Sequence, residues 1–103
     1  MAVAYEMRFE GATLEQYDRV IELMGFEHGG VGARDGGIFH WAAKTDDGII
    51  VVDVWESDEQ FNRFAEQEIG PFTQQAGIPN PPVITRREVH NTLVAEKFAA
   101  ANV

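Results

Sequence analysis

Three histidines, His28, His40 and His90, and one aspartate set inside an apolar strand, Asp53, carry the most evident chemistry in this chain. Imidazole is the side chain whose ordinary pKa lies near neutrality, so a histidine is the first candidate for a general base. His40 sits in IFHWAAK, 38–44, and His90 near the end of VITRREVHN, 83–91. Asp53 lies in IIVVDVWE, 49–56, on the same strand face as Ile49, Val51 and Trp55. An unpaired carboxylate buried there would cost several kcal/mol, so that position demands a partner. In one hairpin register His40 lies directly across from Asp53, and a slip of one residue puts the two on opposite faces. His40, His90 and Asp53 are therefore the catalytic candidates.

Aromatic residues are the candidate walls around such a base. Tyr17 faces inward on a predicted helix, where it either packs in the core or donates its hydroxyl to a ligand oxygen. Trp41, Trp55, Phe61 and Phe64 would line an apolar pocket, although large aromatics equally serve burial. Strand parity places Phe39 and Trp41 on one face and His40 with Ile38 and Ala42 on the other. His28 belongs to a glycine-rich loop and would approach a ligand on closure. No two histidines have the helical spacing that brings ligands together locally, so no metal is expected. Ser57 is expected as a helix cap, with its oxygen engaged by backbone N–H groups.

The elements that must position these groups are legible along the chain. AVAYEMRF, 2–9, reads as a first strand. Thr13 and Gln16 form a capping box, apolar residues follow at helical spacing, and Gly25 stands at the stop, predicting a helix over 14–24. FEHGGVGARDGG, 26–37, reads as a long loop. The strands 38–44 and 49–56 flank TDDG and form a β-hairpin. Ser57 with Gln60 reads as a second capping box, and Pro71 predicts a break followed by a short turn through 72–76. IPNPP, 78–82, is an extended connection, 83–91 a last strand, and the alanine-rich LVAEKFAAANV suits a helical tail over 92–103.

The order β-α-β-β-α-β is the ferredoxin-like split arrangement, a single α+β domain over 1–103 with a four-stranded antiparallel sheet and both helices on one face. The other face, apolar in part, is expected to meet a second copy, so a homodimer is the expected assembly. With 17 acidic against 8 basic residues the net charge is −9, which argues against nucleic acid and anionic membrane as partners. The absence of cysteine removes disulfides, thiolate nucleophiles and cysteine-based metal sites. No leader opens the sequence and no apolar run approaches the roughly 18–20 residues of a membrane span, so a cytoplasmic location is expected.

This element order, with Val54-Trp55-Glu56-Ser57 running into Asp58-Glu59-Gln60-Phe61, resembles the dimeric α+β barrel superfamily and in particular the antibiotic-biosynthesis-monooxygenase-like proteins. The resemblance covers roughly residues 3–91. It implies a pocket between sheet and helices that takes a small apolar or aromatic molecule. It also implies a cofactor-independent monooxygenase acting on a small aromatic or polyketide-like phenol. The same family includes isomerases, cyclases, haem-degrading enzymes and members with no known activity. The haem-degrading branch uses a histidine late in the second helical region, where this chain has Gln74-Gln75. No glycine-rich phosphate loop supports a flavin, so no cofactor is expected. An isomerase or cyclase using the same base, or a non-catalytic binding dimer, are the alternative readings.

Overall fold

A computed structural model describes residues 1–27 and 34–95. The elements are β1 (Val3–Glu10), α1 (Leu14–Met24), β2 (Gly37–Lys44), β3 (Gly48–Trp55), α2 (Asp58–Phe64), a π-helical turn (Ala65–Ile69), α3 (Gly70–Gln75) and β4 (Val83–Glu88). The four strands form one antiparallel sheet in the order β2-β3-β1-β4. This is the ferredoxin-like α+β arrangement expected from the sequence.

Local chemistry accounts for most boundaries. At α1 the Thr13 hydroxyl accepts from the Gln16 amide at 3.1 Å, while the Gln16 side chain accepts from the Thr13 amide at 2.9 Å. That reciprocal pair satisfies two of the orphan donors at the helix start. Gly25 ends the helix at φ 83°, a left-handed conformation that costs glycine little. At α2 only half of the expected box forms. Ser57 Oγ accepts from the Gln60 amide at 3.3 Å, but it donates to Gln60 Oε1 itself at 2.8 Å, so that side chain meets the hydroxyl rather than the Ser57 backbone.

Pro71 does not break the helix as its type predicts. It sits in the first turn of α3, directly after the π-helical turn, where the Gly70 N–H reaches back to Ala65 O. That wider turn, five residues rather than four between donor and acceptor, accommodates a residue that lacks an N–H and crowds the preceding turn. The last strand also ends earlier than expected, at Glu88, although the Val89 amide still pairs with Ala2 O at 3.0 Å. Residues 91–95 have no regular structure, and the remainder of the expected helical tail lies outside the described residues.

The two central strands supply the core by strict alternation. Val3, Tyr5, Met7 and Phe9 of β1 and Ile49, Val51 and Trp55 of β3 are buried, and Phe61 and Ile69 close over them from the helical layer. Full burial of such side chains contributes about 1.5–3 kcal/mol each. Gly48 fixes how β3 meets β1, because a Cβ there would lie 2.0 Å from Phe9 O. Asp53 shares the buried parity and is the only charged residue among the buried described ones.

Candidate active site

The hairpin places His40 directly opposite Asp53, the register that the sequence left open. The irregularity in β2 falls between Gly37 and Phe39, before His40, so the pairing from Phe39 to Lys44 is regular. His40 Nδ1 lies 2.6 Å from Asp53 Oδ1, and the Trp55 indole N–H donates to Asp53 Oδ2 at 3.1 Å. Both carboxylate oxygens are therefore engaged although the residue is only 5% exposed. Hydrogen bonds to a charged group contribute about 1.5–3 kcal/mol each, which is the scale needed to offset desolvation of a buried carboxylate.

The chain of contacts continues outward. Tyr17, brought from the inner side of α1, places its hydroxyl 2.5 Å from His40 Nε2, with the two rings 10° from parallel and their centroids 5.9 Å apart. A carboxylate only accepts, so Nδ1–H donates to Asp53 and, in the neutral ring, Nε2 is left as the acceptor for the Tyr17 hydroxyl. Burial, with the carboxylates of Asp53 and Asp18, pushes the Tyr17 pKa up to about 12 and keeps it a phenol. Trp55, Asp53, His40 and Tyr17 thus form one hydrogen-bonded file from the core to the half-exposed imidazole. Such a file orients a base, and its Tyr17–His40 link offers a path for a proton between the hydroxyl and Nε2.

The other expected site residues are distributed differently. Trp55 and Phe61 are buried, Trp55 meeting Phe61 edge-on at 6.1 Å and Phe64 at 5.0 Å. Trp41 pairs with Val52 and occupies the opposite face of the sheet, 43% exposed, so the five aromatics expected around one pocket do not share a surface. His90 is exposed and lies beyond the end of β4, at the opposite sheet edge from the strand that carries His40. His28 lies outside the described residues. Two depressions of about 340 and 360 Å³ are lined by Asp18, Ile21, Glu22 and Phe26, and by residues of α3 and the proline-rich connection. Among the described residues no group of three or more histidines and acids is arranged to hold a metal ion.

Two further clusters were not anticipated. The Tyr5 hydroxyl donates to Asp58 Oδ1, and Arg86 forks the same carboxylate at 2.8 and 2.9 Å. Arg86 and the hydroxyl of Tyr5 together depress the Asp58 pKa to about 2. Arg34 forks Glu68 in the π-helical turn, donates to Met24 O at 2.6 Å and lies over the Phe26 ring. An acid in the first turn of a helix after a strand was the available signal for the first cluster. Neither pairing has a spacing that a sequence reveals.

No protein-family model matches the chain, and no curated protein matches it in sequence. Among solved structures it is similar to the crystal structure of a monooxygenase from the gene ActVA-Orf6 of Streptomyces coelicolor in complex with nanaomycin D. The TM-score is 0.51 with 16% identity, over 92% of each chain. No helix among the described residues is long and apolar enough to cross a membrane. Element order, sheet order and this likeness agree on the fold: the chain is a ferredoxin-like α+β domain of the kind found in that monooxygenase.

Proposed function

We propose that the protein is a cofactor-independent monooxygenase acting on a small aromatic or polyketide-like phenol, with His40 and Asp53 as its base. The observation that carries this reading is the imidazole held by a buried carboxylate through Nδ1, with Nε2 turned to a phenolic hydroxyl. Removing a proton from a phenol or enol gives an electron-rich anion that O₂ itself can oxidise. For an anthrone, O₂ takes four electrons from the ring methylene. One oxygen atom becomes the new carbonyl, and the other leaves as water with the two methylene protons. The protein supplies deprotonation and positioning. The shared fold with a monooxygenase supports the reading at the level of scaffold.

The test combines oxygen uptake with product mass, using 1,8-dihydroxyanthrone and simpler phenols. Uptake with a product carrying one new oxygen, lost on His40→Ala, supports the assignment. Because the file moves protons without oxygen, an isomerase or cyclase is the second reading, and it is marked by a product of unchanged mass. His90→Ala leaves turnover intact under either reading, since His90 is exposed at the far edge of the sheet.

We also infer that a second copy covers the open sheet face, where Phe39 is 52% exposed beside Trp41. Trp41→Glu should convert a dimer to a monomer in sedimentation. A monomeric wild type would refute this assembly.

A further inference from the structure

A neutral imidazole has one donor and one acceptor nitrogen. In His40 both are committed, Nδ1 to Asp53 and Nε2 to Tyr17. The lone pair that would take a proton directly from a substrate is covered by the Tyr17 hydroxyl. The phenol oxygen of Tyr17 still has acceptor capacity, and Tyr17 is the last hydrogen-bonded member of the file, partly buried beside a His40 side chain that is 40% exposed. We propose that Tyr17 is the catalytic residue that receives the substrate's proton, and that His40 and Asp53 act through it.

The inference rests on the functional reading above and specifies its first step. The substrate O–H bond breaks and its proton bonds to Tyr17 Oη. The proton Tyr17 held passes to His40 Nε2, and the imidazolium so formed is balanced by the Asp53 carboxylate. No electrons change hands, so no oxidant or reductant enters the step. Because its raised pKa keeps Tyr17 a phenol, it passes a proton on without resting as a phenolate. The site therefore selects a phenol or enol with a free hydroxyl, and the matching methyl ether has no proton to hand over.

Anaerobic mixing with 1,8-dihydroxyanthrone reads ionisation of the bound molecule by absorbance, and admission of air then reads turnover. Wild type, Tyr17→Phe, His40→Ala and the double variant are compared, with thermal unfolding as a check that each is folded. Loss of ionisation in both single variants is expected, with kcat reduced about 10²-fold in each and no further loss in the double. A Tyr17→Phe protein that ionises and oxidises the anthrone as well as wild type, while His40→Ala does not, overturns the inference and leaves the functional reading standing. In that case the uncovered Nε2 acts alone. Wild type that neither ionises nor oxidises the anthrone or the simpler phenols overturns both.

Discussion

Each of the two tyrosines in the chain ends in an aspartate cluster, and the two clusters do opposite things. Tyr5 meets Asp58 and Arg86, whereas Tyr17 reaches Asp53 through His40. Guanidinium stays charged across the working pH range and gives no proton away, so the first cluster is an electrostatic rivet joining β1, β4 and the start of α2. Imidazole carries both a donor and an acceptor nitrogen, so the second is the cluster to which the proposed function gives a proton-passing role. The acids differ accordingly: Asp58 is partly exposed and held ionised by its arginine, while Asp53 is buried and held by an indole and an imidazole. A tyrosine beside an aspartate is therefore not by itself a functional signal. The third partner decides.

The contrast can be broken most sharply at the two acids. Asp53→Asn should lower turnover by about 10²-fold or more, because an amide neither balances an imidazolium nor fixes the tautomer. Asp58→Asn should leave turnover unchanged. Oxygen uptake at saturating phenol compares the two variants, and equal losses would dissolve the distinction. The next largest effect is on stability. Trp55→Phe removes a hydrogen bond from a buried carboxylate and should cost about 1.5–3 kcal/mol in urea unfolding. Tyr5→Phe, which keeps the ring stacked on Phe61 at 3.6 Å, should cost less.

The smallest effect is on acid stability. The Asp58 pKa is depressed from 3.8 to about 2 in the folded protein, so the unfolded chain takes up this proton first as pH falls. Its contribution is whole above about pH 5 and is lost as pH drops through about 2. Asp58→Asn should flatten that part of the stability curve and leave the neutral region nearly parallel to wild type. Acid titration of both proteins, followed by circular dichroism, measures the difference.

The scaffold was legible because its signals are local. Thr13 with Gln16 and Gly25 mark α1 at both ends, and alternation through Ile49, Val51 and Asp53 identifies the buried face of β3. Trp41 could be assigned the opposite face from His40 by parity alone. The pairing of His40 with Asp53 was visible as one of two registers. Its selection lies in how the β2–β3 turn closes, with the Thr45 amide donating to Gly48 O at 2.9 Å and Lys44 set opposite Ile49. Tyr17 was recognised as an inward residue, but its contact with His40 joins a helix to a strand 23 positions away. Pro71 misled because proline propensity assumes α-helical spacing, and the π-helical turn removes that assumption.

Three of the four groups in the proton file, His40, Asp53 and Trp55, belong to a single hairpin of β2 and β3. Only Tyr17 comes from elsewhere. The oriented imidazole is therefore portable: grafting the hairpin onto another four-stranded antiparallel sheet in the same register would carry base, carboxylate and indole together. The recipient would need to supply one helix with a hydroxyl at the right height. A designer could then exchange that helix residue to change what the base answers to, while leaving the inherited hairpin untouched.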